Sequence, residues 1–371
     1  VFQVAAIAAL LFFFYFLFQN TLHNMESRGI STGFGFLDNS AGFGILMTLI
    51  PYDETYSYGR TFLVGLLNTV LVSVLGIFFA TSIGFVAGVA RLSKNFLISK
   101  IATVYVETLR NIPLLLQIFF WYFAVLQTLP SPRQSIAFGE TFFLNNRGFY
   151  MPAPVWGDGS SLILIAFIAA IIGAFFLSGW AKKRFEATGQ PFPVIRANLG
   201  LIIGVPLLVF LVLGAPMTLD FPALKGFNFQ GGVTVIPELM ALLWALSLYT
   251  GAFIAEIVRA GILSVSHGQT EAAHALGIRH SPTLRLIIIP QALRVIIPPL
   301  TSQYLNLAKN SSLATAIGYP DLVAVFMGTT LNQTGQAVEI VGMTMAVYLL
   351  ISLVISVLMN WYNKRKALVE R

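Results

Sequence analysis

Eight stretches of this 371-residue chain are long and apolar enough to cross a bilayer, and no other feature limits its fold as tightly. They cover approximately 1–18, 61–90, 101–128, 162–180, 199–214, 235–258, 284–308 and 336–362. A hydrocarbon core of about 30 Å takes roughly 20 residues of helix, and the backbone inside it must bond within its own segment. The expected fold is therefore an all-α polytopic membrane protein of about eight transmembrane helices. Composition agrees: 57% of residues are hydrophobic and only 10% charged, with a mean hydropathy of +0.80, whereas soluble domains average about 25% charged. Segment 1–18 has no initiating Met, no charged n-region and no small-residue cleavage site, so a span truncated at its front is expected there, not a signal peptide.

There is no cysteine, which excludes disulfides, thiolate metal sites and cysteine nucleophiles from this chain. The net charge of +7 does not point to nucleic acid, because the cations fall between the apolar spans in a lopsided pattern. Connections 91–100, 181–198, 259–294 and 363–371 hold fifteen Lys and Arg, whereas the alternate connections hold five. The positive-inside rule puts the first set, and both termini, in the cytoplasm. Connections 19–60, 129–161 and 215–234 then face outward, and none is large enough for a catalytic domain. Residues 131–160, with Pro132, Pro152, Pro154 and Trp156, are expected as an ordered external loop at the headgroup level.

Between the sixth and seventh spans, within 260–283, lies a short helix framed by punctuation. Thr270 or Ser266 can cap its start, Glu271 suits the positive end of its dipole, and Gly277 can take the left-handed conformation that ends it. Ser281-Pro282 is expected to open the next helix as cap and first position. Small or apolar Ala272, Ala273, Ala275 and Leu276 sit on an exposed connection, either to receive a partner or to fold back on their own bundle.

Gln269 and Glu271-Ala272-Ala273 are followed after three residues by Gly277, and nine residues later by Ile287-Ile288-Ile289-Pro290. This resembles the EAA signature of type I ABC importer membrane subunits, with Ile289 in the place of a leucine. Gly65-Leu66-Leu67-Asn68-Thr69, Asn111-Ile112-Pro113-Leu114-Leu115-Leu116-Gln117, Ala255-Glu256-Ile257-Val258-Arg259 and Lys309-Asn310-Ser311-Ser312-Leu313 look like the polar amino-acid branch, nearest to the general L-amino-acid permease subunits of α-proteobacteria.

The resemblance implies a five-helix core at 61–128 and 235–362, preceded by an N-terminal span and outward loop at 1–60. An insertion at 129–234 would add two helices, and a basic tail follows at 363–371. It also implies that the loop is a coupling helix seated in a groove of an ATPase subunit. The partners would be an ATP-binding subunit dimer, a second related membrane subunit, a periplasmic amino-acid-binding protein, the amino-acid substrate and the lipid of a bacterial inner membrane. ATP and Mg would be held by the ATPase; this chain has no G-x-x-x-x-G-K-[ST], and neither a cofactor nor a catalytic residue is expected in it. The alternatives are an ion-gradient-driven secondary amino-acid transporter, which needs no EAA spacing, and a non-transporting scaffold or receptor subunit.

Charges inside a bilayer cost at least about 2.5–3.5 kcal/mol each, so those that persist face a cavity, a partner or each other. Glu107 and Arg110, like Glu256 and Arg259, stand three apart, either as local ion pairs or as part of a gate. Lys309, Asn310, Ser311 and Ser312, followed by Gly318, Tyr319 and Pro320, predict a broken backbone whose polar groups face substrate; otherwise Lys309 snorkels and the serines cap a helix. Gln117 and Asn68 line the pathway or bond between helices. Pro290, Pro298 and Pro299 are expected to kink the seventh span. His267, His274 and His280 lack the i, i+4 spacing of a helical metal pair, so no metal site is expected.

Overall fold

The structure is a computed structural model that describes residues 2–27, 29 and 32–366. The chain forms two compact units, one from Val1–Thr128 with Ile236–Arg371 and the other from Leu129–Val235. In chain order the first unit opens with α1 (Phe2–Ser27), α2 (Tyr58–Ala90), α3 (Phe96–Asn111) and α4 (Leu114–Phe119). The second carries α5 (Ser160–Thr188) and α6 (Val194–Val212). The first resumes with α7 (Pro237–Leu263), α8 (His267–Ala275), α9 (His280–Thr283), α10 (Ile289–Asn310), α11 (Leu331–Thr334) and α12 (Ala337–Lys366). Among the described residues, seven helices are long and apolar enough to cross a membrane, or eight if a bent pair counts as one crossing.

That bent pair corrects the expected single span at 101–128. Phe96–Asn111 and Leu114–Leu126 meet at 108°. Proline disfavours helical geometry in the residue before it, and Ile112 accordingly sits at φ −96°, ψ 126°. Pro113 has no N–H to give the carbonyl of Leu109, four residues back. The apolar run continues across the break, which is why hydropathy alone reads it as one helix.

The core of the first unit is built on α2 against α7. Gly84 and Gly88 stand four apart on α2, and a Cβ at Gly84 would lie 2.5 Å from Ile254, one at Gly88 2.7 Å from the Ala255 carbonyl. Only glycine lets these two backbones approach so closely, the device by which membrane helices pack without a hydrophobic drive between them. Ile254, Ala255 and Val258 are buried as a result, and Ile296, Leu300 and Leu307 of α10 complete the layer. Toward the start of α2 a second cluster gathers Phe36, Tyr58, Leu322, Phe326 and Ile340.

In the second unit, residues 131–160, expected as an ordered loop, take their order from β-strands. β1 (Ile136–Phe138), β2 (Phe142–Asn145) and β3 (Gly148–Met151) run antiparallel. β4 (Ala153–Trp156) pairs with β5 (Met217–Asp220), β6 (Ala223–Lys225) with β7 (Asn228–Gln230), and β8 (Val233–Val235) closes the four-stranded sheet in the order β1-β2-β3-β8. The connections before α5 and after α6 thus satisfy each other's backbone, with Phe149 opposite Val235. The Tyr150 and Phe229 rings lie 4.9 Å apart, tilted by 35°. α5 and α6 form a hairpin, α5 ending at Gly189 in the left-handed region (φ 68°). Asn198 Nδ2 donates to Ser178 Oγ across it at 2.8 Å.

Candidate functional site

α8 is nine residues long, and its geometry departs in detail from the pattern expected. Ser266 precedes the helix without a side-chain capping bond, and Thr270 lies inside it. Glu271 is therefore the fifth residue of the helix, not part of its first turn, and pairs with His267 one turn back (Nδ1 to Oε1, 3.0 Å). α9 begins at His280, so Pro282 is its third residue and not its first.

Ala273 turns inward and is buried, while Ala272, Ala275 and Leu276 are exposed, Leu276 to 79%. Gly277 sits at φ 72°, its N–H donating to the His274 carbonyl (2.9 Å) and the next N–H, of Ile278, to Ala273 (3.0 Å). A Cβ at Gly277 would meet nothing within 4 Å, so its glycine is demanded by backbone conformation, not by space. Pro290, second in α10, follows a widened π-type turn at Leu284–Ile288, which makes room for a ring that would otherwise strike the carbonyl four residues earlier. Ile287 is half-buried in that turn, and Gln291 donates to the exposed Gln269 across the loop at 3.4 Å.

Of the two expected local ion pairs, Arg259–Glu256 forms at 3.2 Å. Glu107 and Arg110 do not pair. Arg91, which follows α2, takes Glu107 at 3.3 Å and also bonds Glu256, while Arg110 reaches Glu256 at 3.6 Å. Three guanidiniums, from α3, α7 and the residue after α2, thus converge on one carboxylate. Arg91, whose side chain is 8% exposed, was absent from the sequence-derived candidates because a cation at the end of a span reads as a topology signal. Arg110 also lies over the Phe253 ring at 5.2 Å.

The amides of Gln117 and Asn68 are both buried, and each holds broken backbone. Gln117 Nε2 donates to Leu109 and Ile112, 2.9 Å each, supplying the proton that Pro113 cannot. Asn68 Nδ2 donates to Met47 and Pro320 at 2.9 Å each, and Thr69 Oγ1 accepts from the Leu322 N–H at 3.0 Å. Gly65, one turn back, lets Leu322 approach, since a Cβ there would lie 2.9 Å from its Cα. The second polar atoms, Asn68 Oδ1 and Gln117 Oε1, find no partner among the described residues.

The backbone does break after Asn310: α10 tightens into a turn over Ser311–Ile317, closed by Gly318 at φ 78°. Ser311 and Ser312 donate back to Ala308 (2.7 Å) and Lys309 (2.8 Å). Lys309 is exposed and, with Ser312, Thr344 and Tyr348, lines a groove of about 480 Å³. Sequence reasoning missed Asp321, which looked like part of a connection. It is fully buried and accepts from the Ala324 N–H (2.9 Å), Thr315 Oγ1 (3.3 Å) and Tyr348 OH (3.3 Å). An acid inside an otherwise apolar run, Ile317-Gly318-Tyr319-Pro320-Asp321-Leu322-Val323, was the available signal. No group of three His, Cys, Asp or Glu able to hold a metal occurs among the described residues.

Helices of crossing length, a broken span repaired by a side-chain amide, and a short helix presenting apolar residues at one end define a polytopic helical membrane protein. The sequence model described as binding-protein-dependent transport system inner membrane component matches residues 194–367, which include α8, Gly277 and Pro290. The chain is 57% identical over 370 residues to the permease protein YhdX of Escherichia coli strain K12, covering 100% of this chain and 94% of that one. It is 53% identical over 370 residues to the general L-amino acid transport system permease protein AapQ of Rhizobium johnstonii, covering 100% and 92%. With the glutamate/glutamine/aspartate/asparagine transport system permease protein BztB of Rhodobacter capsulatus, identity is 44% over 388 residues, covering 96% and 90%. The chain belongs to the family of binding-protein-dependent transport system inner membrane components, among its ABC permeases.

Proposed function

We propose that this chain is the membrane subunit of an ATP-binding-cassette importer for L-amino acids, contributing half of the translocation pathway and taking its power stroke through α8. The observation that carries the reading is similarity along the whole chain to permease proteins named for amino-acid transport, 53% and 44% identical. α8 supplies the mechanical feature such a subunit needs. It exposes Ala272, Ala275 and Leu276 to a partner, and its buried Ala273 ties it to the chain behind.

ATP and Mg²⁺ belong to a separate ATPase dimer, and this chain performs no bond chemistry. Closure of that dimer moves the groove that holds α8; the push passes through the left-handed link at Gly277 into α9 and α10. Arg91, gripping Glu107 and Glu256, makes the neighbouring ends of α2, α3 and α7 move together. The pathway opens alternately to the two sides of a bacterial inner membrane, α8 and both termini facing the cytoplasm. A second, related membrane subunit supplies the other half, and a periplasmic binding protein delivers the amino acid. The core at 61–128 and 235–362 carries the pathway, with Lys309, Ser312 and the neighbouring groove as its polar lining.

The test is reconstitution with the ATPase, the second membrane subunit and the binding protein in proteoliposomes, measuring ATP hydrolysis and amino-acid uptake. Gly277→Val, forced into a conformation a β-branched residue avoids, should lower stimulated hydrolysis and uptake at least about tenfold while the complex still assembles. Full stimulation in Gly277→Val and Glu271→Ala alike would remove the coupling role of α8. Absence of amino-acid-stimulated hydrolysis in the unaltered complex would remove the importer reading.

A further inference from the structure

One carboxylate of the first unit is used by nothing described so far. Glu339 is in the first turn of α12, a position where the helix dipole favours an acid. Its Oε1 accepts from the Gly33 N–H at 2.6 Å. Its Oε2 is buried and has no hydrogen-bond partner among the described residues, although an ionised carboxylate offers each oxygen to donors.

That carboxylate stands in the wall of a cavity of about 840 Å³, within the roughly 300–1,000 Å³ typical of small-molecule sites. The Gly33–Glu339 bond brings the segment after α1 to the start of α12, so the cavity has an upper and a lower end. Thr21, Thr32 and Glu339 line it at the polar upper end. Phe14, seven residues back along α1, lies about 10 Å deeper, and Met343, four residues along α12, about 6 Å deeper. The remaining lining is apolar, Leu17, Phe18 and Gly342 among it, and no described lining residue is a cation.

We propose that this cavity binds a phospholipid whose headgroup ends in a primary ammonium, the ammonium donating to Glu339 and an acyl chain descending between α1 and α12. Polarity along the cavity runs along α1 and α12, acid at one end and hydrocarbon at the other, as in an amphiphile embedded in a leaflet. A free amino acid has no long hydrocarbon chain to occupy the lower end lined by Phe14, Phe18 and Met343. An anionic headgroup meets repulsion from Glu339. A quaternary ammonium has no N–H for the Glu339 carboxylate to accept, so the site separates phosphatidylethanolamine from phosphatidylcholine.

Native mass spectrometry of the purified membrane complex, titrated with phosphatidylethanolamine, phosphatidylcholine or phosphatidylglycerol, reads the preference directly. The unaltered complex should bind phosphatidylethanolamine about tenfold more tightly than phosphatidylcholine. Glu339→Gln keeps an acceptor for Gly33 and should abolish that preference. Gly342→Leu fills the cavity below, because a Cβ there meets nothing within 4 Å, and should weaken both lipids while the complex stays assembled. Free ethanolamine at the same concentrations should displace neither. Equal binding of the two lipids by the unaltered complex, a preference that survives Glu339→Gln, tighter binding of phosphatidylglycerol, or lipid binding untouched by Gly342→Leu would each overturn the proposal.

Discussion

The helix pairs α2–α7 and α5–α6 are equally convincing as membrane spans and are built on different terms. Of the most apolar window of α7, 61% is buried, and 39% of that of α2; for α5 the share is 11%, and for α6 nothing is buried. α2 meets α7 through Gly84 and Gly88, where a Cβ would collide. α5 turns Ala170, Ala174 and Ala181 inward, and glycines such as Gly179 look onto open space. Hydrophobic content tells a helix to enter the bilayer. Where its small residues and amides lie decides whether it then has a single neighbour it can fit.

The sharpest way to break that contrast is to enlarge one glycine in each pair. Gly84→Leu drives a side chain into Ile254 and should cost about 3 kcal/mol or more, seen as loss of monodisperse protein in detergent, whereas Gly179→Leu should leave the yield unchanged. Equal damage at both sites would mean that α5 is packed as tightly as α2. Next in size is Gln117→Leu, which strands the carbonyls of Leu109 and Ile112 at about 1–3 kcal/mol apiece and should lower the unfolding temperature by several degrees. Arg91→Met removes one of three cations from Glu256 and should cost about 1.5 kcal/mol in the same assay, with Arg110 and Arg259 still in place. Smallest is Asn198→Leu, which deletes the Ser178 bond inside the α5–α6 hairpin; such bonds average about 0.6 kcal/mol in membranes, so only a marginal shift is expected. A drop at Asn198 as large as that at Gln117 would erase the distinction between the two regions.

The candidate site was legible where its logic is local. Gly277 announces a left-handed helix end, and the structure places it at φ 72°. The spans were legible because twenty apolar residues have few other uses, though Pro113 inside one of them broke a helix that hydropathy joined. Gly65, Asn68 and Thr69 stood out as a motif, but their work lies with Pro320 and Leu322, some 250 residues away in sequence. Nothing in the spacing of Glu107 and Arg110 reveals that both answer to residues on other helices.

By itself the sequence determined that this chain enters a membrane, which segments are apolar enough to cross, and where the exposed α8 stops, since each follows from a run of apolar residues or from one residue's backbone preference. Tertiary structure alone decided that Arg91 gathers Glu107 and Glu256, that Asp321 is buried beneath Tyr348, and that β3 pairs with β8 across an intervening helical hairpin. Those contacts depend on how elements far apart in sequence pack and register, and a local pattern carries no information about which distant partner will lie opposite.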